Sequence, residues 1–334
     1  MPPDLPCRNR IVITGASGEY GRLIIEKLIQ HAQPSSLVLV ADKSPAYLDV
    51  FAAQGCVVRH CSADAPEEEL ALAFAGGQTL LLIPEIGGSR VEQQHAAVSA
   101  AIMANIEHLV LISVIGADQD FPSASVAQES KAIEHRLQNE ALHWTILRDS
   151  QYSETISDAS GPRVLQMKIC ICNIGDGQVG FVCREDSAAC AAVILKDPEI
   201  HRQRIYHLTG PELLSIRDVL DMLEDLEGLE RGAIRYGKVT DDQMADFLDK
   251  FGIPRQRDLP GSSYCGIFTI PDMISFGRAC RLGEMAMKTN DVELLTGNAP
   301  QSMREVFWRR RSWRKDFPWM IKDLEADLAR SEIS

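Results

Sequence analysis

No stretch of the 334 residues is apolar over the length a bilayer requires, and the opening MPPDLPCRNR lacks the apolar core of a secretory leader. The expectation is a soluble, cytoplasmic protein with no membrane partner. Basic charge is also scarce, with 34 Lys and Arg against 47 Asp and Glu and a formal net charge of −13. Sequence-independent nucleic-acid binding rests on basic neutralisation of phosphates, so nucleic acid is disfavoured as a partner. The nine cysteines lack the dense, even spacing of a disulfide scaffold and read as free thiols. Cys170 and Cys172 form C-x-C, which sets them on one face of a strand, too isolated from other ligands to argue for zinc. No His, Asp and Glu cluster has metal spacing and no G-x-S-x-G occurs, so metalloenzyme and hydrolase chemistry find little support and no metal is expected. His95, His135 and His143 read as surface or packing residues. Internal repeats and low-complexity linkers are absent as well.

What is present begins at Ile11 to Gly21, IVITGASGEYG: an apolar run, a glycine-rich turn and the start of an amphipathic segment. Gly15, Gly18 and Gly21 are spaced G-x-x-G-x-x-G between a predicted strand (Ile11 to Thr14) and a predicted helix (Tyr20 to His31). A tight strand-to-helix turn, close approach to a pyrophosphate and close helix packing each exclude a β-carbon. The helix then offers free N–H groups and its positive dipole end to the phosphates. Gly15, Ala16, Ser17, Gly18, Tyr20 and Gly21 are therefore the candidate pyrophosphate cradle of a dinucleotide. The next apolar run, Leu37 to Ala41, ends at Asp42, placed to accept from ribose hydroxyls and so to favour NAD over NADP. Lys43 follows at once and reverses that preference if it reaches a ribose phosphate, which leaves NAD or NADP open.

Further along, Cys56 to His60, Thr79 to Ile83, His108 to Ser113 and Trp144 to Arg148 read as strands. Pro66 to Ala75, Ser89 to Ala104 and Ser125 to Ala141 read as the helices between them. Alternation of this kind predicts βαβ units and an α/β, doubly wound parallel sheet. Gln151 to Gly180, with five glycines and prolines, reads as an excursion. Phe181 to Cys183 and Arg204 to Leu208 are the expected return strands around a helix at Ala188 to Leu195, and helices at Ser215 to Leu226 and Asp241 to Phe251 dominate thereafter. The expected division is 1–150 for the dinucleotide domain, with return strands from about 180–208, then 151–306 for a smaller, mostly helical lobe and 307–334 for a tail. The tail holds three of the four tryptophans among Arg309, Arg310, Arg311, Arg314 and Lys315. Interleaved cations and aromatics stack bases or grip phosphate, yet the acids that follow favour a helix docked on the body.

The pieces TGASGEYGR (14–22), EQQHAAVSAAIMANIEHLVLISVIGAD (92–118), HWTILR (143–148), REDSAACAAVIL (184–195), YHLTGPELLSI (206–216) and NDVELLTGNAP (290–300) together resemble the NmrA-like group of atypical short-chain dehydrogenases/reductases. The similarity spans roughly 11–306. It implies an NAD(P)-binding Rossmann domain with a C-terminal substrate lobe and an active site in the cleft between them. Members of that group include quinone and enone reductases, phenolic ether reductases, alkaloid-pathway enzymes and a regulator that binds dinucleotide without turning it over. Fold-level analogy does not choose among them.

The usual short-chain device, Tyr-x-x-x-Lys, is missing, since no tyrosine has a lysine four residues on. Lys131 lies where related phenolic reductases place a functional lysine, and it is a candidate for the nicotinamide ribose or for proton transfer; its plain alternative is a solvated lysine paired with Glu134 or His135. Ser113 and Tyr152 end or follow strands five and six and are catalytic candidates at the cleft, Ser113 to hydrogen-bond a ribose or substrate oxygen and Tyr152 to stack on a planar substrate or donate its phenol proton, with plain lining of the cleft as the alternative for either. Ile83 and Pro84 are the expected apolar shelf beside the nicotinamide. Glu19 puts a carboxylate in the phosphate turn, unfavourable unless it points outward. The leading expectation is an NAD(P)-dependent oxidoreductase acting on a carbonyl, quinone or activated C=C of a small lipophilic molecule, in secondary metabolism. A non-redox isomerase or cyclase and a dinucleotide-sensing regulator are the alternatives, and a homodimer is left open.

Overall fold

A computed structural model describes residues 10–84, 90–250, 252–256 and 269–310. Among them the central layer is a parallel sheet of β1 (Ile11–Ile13), β2 (Leu37–Ala41), β3 (Val57–His60), β4 (Thr79–Leu82), β5 (His108–Val114), β6 (His143–Asp149) and β9 (Arg204–Leu208), in the order β3-β2-β1-β4-β5-β6-β9. Val12 lies opposite both Val38 and Leu80, so β1 is the strand from which the order runs outward in both directions. The helices α1 (Glu19–Leu28), α2 (Ala46–Ala53), α3 (Glu67–Phe74), α4 (Arg90–Met103) and α5 (Ser125–Gln138) connect these strands.

Side chains alternate across a strand, and the inner strands β1, β2 and β4 are buried on both sides, which is why each reads as a continuous apolar run, whereas the edge strands β3 and β9 are partly exposed and carry polar residues. Ile13, Leu39, Leu81, Val110 and Leu147 face α1 together with α8 (Arg184–Lys196). Val12, Val38, Leu80, Leu109 and Ile146 face Phe74 of α3, Val98 of α4 and Ile133 of α5. Each fully buried Leu or Ile contributes about 1.5–3 kcal/mol, and these two layers hold the sheet rigid beneath its carboxyl edge.

After β6 the chain leaves through α6 (Ser153–Thr155), a π-helical turn, α7 (Gly161–Met167), β7 (Ile169–Cys172) and β8 (Gln178–Val179). Beyond β9 come β10 (Leu214–Ser215), α9 (Ile216–Glu227), β11 (Arg235–Lys238), α10 (Asp241–Lys250), α11 (Ile270–Arg281), α12 (Asp291–Thr296) and α13 (Met303–Arg309). Capping boxes start three of these helices: Ser215 with Asp218 at α9, Thr269 with Asp272 at α11 and Ser302 with Glu305 at α13. Each box satisfies N–H groups that the first helical turn leaves unpaired. A third apolar cluster joins Phe181, Leu220, Leu223, Cys280 and Phe307 to Ile115 and Ala127, seating the helical region against the loop after β5 and the start of α5.

Three local differences from the sequence reading have physical causes. Phe181 to Cys183 does not return to the main sheet; Val182 makes one parallel bridge with Tyr152, and of the two expected return strands it is Arg204–Leu208 that pairs with β6. The helix α2 was not anticipated, because it is short and begins at Pro45 without a capping side chain. The strand β11 is polar, and it forms only by parallel pairing with β7, Tyr236 opposite Cys170. Of the aromatic and basic tail, 311–334 lies outside the described residues; at its start Phe307 is buried while Trp308 is 60% exposed. Among the described residues no helix is long and apolar enough to cross a membrane.

Candidate functional site

The glycine turn grows out of β1 and is hydrogen-bonded to both neighbouring strands. Thr14 N donates to the Leu81 carbonyl at 3.1 Å and Ala16 N to the Val40 carbonyl at 3.2 Å. The Thr14 hydroxyl accepts from Ile83 N at 2.9 Å, tying the turn to the end of β4. This is the point where the strand order diverges, the place in open α/β sheets where a crevice opens outside the carboxyl ends.

The residues there fit a dinucleotide. Gly15 takes φ +62°, and a β-carbon on Gly21 would stand 2.3 Å from the Gly15 carbonyl oxygen, so the close packing of α1 on the turn requires glycine. No side chain caps α1 at Gly18, which leaves its N-terminal dipole directed at an incoming anion. Beside the turn is a recess lined by Thr14, Gly15, Val40, Ser62, Ile83 and Pro84. Ser17 Oγ donates to Asp42 Oδ1 at 2.5 Å, while the exposed Lys43 ammonium lies 3.9 Å from the same carboxylate. Tyr47, which sequence reasoning did not single out, donates to the Ala16 carbonyl at 3.1 Å and pins the turn from α2.

Farther along the carboxyl edge, two buried polar networks occupy the ends of β5 and β6. Ser113 Oγ donates to Glu134 Oε1 at 2.5 Å, and Glu134 also accepts from Arg148 Nε at 3.0 Å and Nη2 at 2.6 Å. Arg148 reaches His207 Nε2 at 3.1 Å. Ser113 and Glu134 are buried, and their hydrogen bonds are made to each other and to Arg148.

The second network joins α1, β6 and α8. Ser187 Oγ donates to Asp149 Oδ1 at 2.8 Å, so the Tyr20 hydroxyl, 2.5 Å from Ser187 Oγ, is the donor in that contact. Tyr152 donates to Asp149 Oδ2, its ring 5.7 Å from that of Tyr20 and 5.0 Å from the Arg184 guanidinium. Burial pushes the Asp149 carboxyl up to about 6, against the hydrogen bonds from Tyr152 and Ser187 that favour its charged form. Burial likewise raises both tyrosine hydroxyls, with the Asp149 charge acting in the same direction.

Lys131 donates to the backbone carbonyls of Gln119 and Asp120, so its ammonium fastens the loop after β5 to α5 rather than pairing with Glu134 or His135. Glu19 does not stand alone: Arg310 Nη2 lies 2.9 Å from its Oε1 and Arg184 Nη1 3.4 Å from its Oε2. The structure thus brings Tyr20 and Tyr152 together around Asp149 and Ser187, and it keeps Ser113 and Lys131 in separate settings. Arg184 and Ser187 stand three apart at the head of one helix, a visible spacing, but only tertiary packing shows that they face α1.

A glycine cradle at the divergence of a doubly wound sheet defines a dinucleotide-binding protein. The NAD(P)H-binding family model matches residues 15–198, more than half of the chain, and the chain belongs to that family. Quinone oxidoreductase 2 of Escherichia coli (strain K12) is 29% identical over 245 residues, 73% of this chain and 82% of the relative. NAD(P)H azoreductase of Xenophilus azovorans is 24% identical over 245 residues, with the same 73% and 82% coverage. The crystal structure of the Escherichia coli NADPH-dependent quinone oxidoreductase complexed with NADPH superposes with a TM-score of 0.76 at 26% identity, covering 90% of this chain and 99% of the other. Triphenylmethane reductase of Citrobacter sp. shares the fold, with a TM-score of 0.77 at 22% identity over 90% of this chain and 99% of that one. The NmrA-like, atypical short-chain kinship and the Rossmann fold expected from the motifs hold, the cofactor class is NAD or NADP, and the relatives named above are NAD(P)H-dependent reductases.

Proposed function

We propose that the chain reduces a quinone or a comparably conjugated, apolar acceptor with NAD(P)H. The observation that carries this reading is the combination of a missing Tyr-x-x-x-Lys with a Tyr152 hydroxyl whose proton is committed to Asp149. Reduction of a simple ketone develops a strongly basic alkoxide and calls for a positioned acid. Reduction of a quinone develops a phenolate, with basicity near that of tyrosine at pKa about 10, which takes its proton from water. When bound, the reduced nicotinamide supplies a hydride, and with one proton the acceptor is reduced by two electrons.

In this reading Gly15, Ala16, Ser17, Gly18, Tyr20 and Gly21 hold the pyrophosphate, and Asp42 with Lys43 addresses the adenosine ribose. Ile83 and Pro84 form the apolar shelf, Tyr152 offers its ring to a planar acceptor, and the region 151–306 supplies the remaining wall. Ser113 orders the end of β5 through Glu134, and Lys131 holds the neighbouring loop. Names of the two curated relatives, a quinone oxidoreductase and an azoreductase, support a conjugated acceptor.

The test is a titration with NADH and NADPH followed by incubation with quinones, azo dyes and simple ketones, watching the reduced-nicotinamide absorbance. Consumption of one reduced dinucleotide per quinone, with ketones inert, is expected. Binding without oxidation by any quinone or azo dye would overturn the reading and favour the dinucleotide-sensing alternative.

A further inference from the structure

Glu19 opens α1 one residue after Gly18, where a pyrophosphate approaches, and it is half exposed. A lone carboxylate there would repel phosphate. Both of its oxygens are instead taken by guanidinium groups from remote parts of the chain. Arg310, directly after α13, donates through Nη2 to Oε1 at 2.9 Å and through Nη1 to Asp158. Arg184, the first residue of α8, brings Nη1 to 3.4 Å from Oε2. Its position is held from behind, where the buried Glu154 carboxylate accepts the Arg184 backbone N–H at 3.1 and 3.2 Å.

Two arginines on one carboxylate, at the mouth of a glycine cradle, form an anion site with an internal anion in it. A pyrophosphate carries more charge than a carboxylate and more acceptor oxygens, and planar guanidinium groups bind phosphate through paired hydrogen bonds. We propose that Arg184 and Arg310 are a phosphate clamp that Glu19 occupies in the free protein, and that the dinucleotide's pyrophosphate draws them off Glu19. The C-terminal segment is then coupled to cofactor binding, because Arg310 follows the helix whose Val306 and Phe307 are buried. The inference rests on the dinucleotide-binding assignment and is independent of which acceptor is reduced.

The experiment measures dissociation constants for NADH, NADPH, ADP and adenosine at low salt in the wild type, Arg310→Gln, Glu19→Gln and the double variant, with melting curves to check folding. Arg310→Gln is expected to weaken NADH, NADPH and ADP about tenfold, the scale of one charge-assisted hydrogen bond, and to leave adenosine unchanged. Glu19→Gln tightens the phosphate-bearing ligands, and Arg310→Gln still weakens them in that background. Arg310→Lys recovers part of the loss. If the double variant binds as tightly as Glu19→Gln alone, Arg310 only neutralises Glu19 and the clamp is overturned. Equal losses for adenosine and ADP would also overturn it. Wild-type protein that binds adenosine but neither dinucleotide would instead remove the cofactor assignment on which the clamp depends. As a second readout, NADPH should slow hydrogen exchange in α13 of the wild type and not of Arg310→Gln.

Discussion

The Ser17 hydroxyl donates to the Asp42 carboxylate at 2.5 Å, joining the phosphate turn to the acid at the tip of β2. The contact ties Asp42 to the glycine turn, with the exposed Lys43 ammonium 3.9 Å away, and in the proposed reading this carboxylate faces the adenosine ribose. Replacing Asp42 by Ala removes the charge that opposes a ribose phosphate. Its Kd ratio of NADPH to NADH should fall about tenfold, measured by fluorescence titration, the worth of one charged contact. An unchanged ratio would show that the acid does not face the ribose.

Gly21→Ala should abolish dinucleotide binding and destabilise the fold by about 2 kcal/mol or more. Its β-carbon would stand 2.3 Å from the Gly15 carbonyl, a backbone atom that only a shift of α1 can relieve. Urea unfolding and NADPH titration measure the two losses separately.

Tyr152→Phe keeps the ring and loses the hydrogen bond to Asp149. If quinone reduction draws its proton from water, kcat for a quinone should stay within about threefold of the wild type, whereas loss of a general acid costs about a hundredfold or more. A hundredfold loss would make Tyr152 the proton donor.

Two buried groups set opposing pH dependences of stability. Asp149 is pushed up to about 6 from 3.8 by burial, so between pH 4 and 6 the native state holds a proton that the unfolded chain releases, and stability falls as pH rises. His108 is pushed down to about 4 from 6.5, first by burial and then by His143, Arg202 and His201, so the unfolded chain holds the extra proton and stability rises with pH. The two contributions have opposite sign. Asp149→Asn should therefore steepen the rise in stability between pH 4 and 6, by about 3 kcal/mol across the window. His108→Asn should lower the slope, and chemical denaturation at several pH values gives both.

Lys131→Met removes the ammonium that bonds the Gln119 and Asp120 carbonyls. Faster hydrogen exchange around those residues is expected, with dinucleotide Kd within about twofold of the wild type. A large loss of cofactor affinity would assign Lys131 to the nicotinamide ribose instead.

The amino-acid sequence alone determined the sheet and the cradle. Leu37 to Ala41 and Leu109 to Ile112 are apolar throughout because both of their faces are buried, and Gly15 and Gly21 are glycine because a positive φ at the first and a backbone oxygen against the second disfavour a side chain. Such constraints act over a few residues and leave a local mark. The tertiary structure decided what lies around the cradle. Asp149 and Ser187 are 38 residues apart and meet because α8 packs beside α1 and the end of β6. Glu19 and Arg310 are separated by 291 positions, and a charge pair over that distance leaves no periodicity to read. Glu19, an unfavourable charge when the chain is read in order, becomes half of an ion pair once the fold closes, because charge balance at a site is a property of the folded surface.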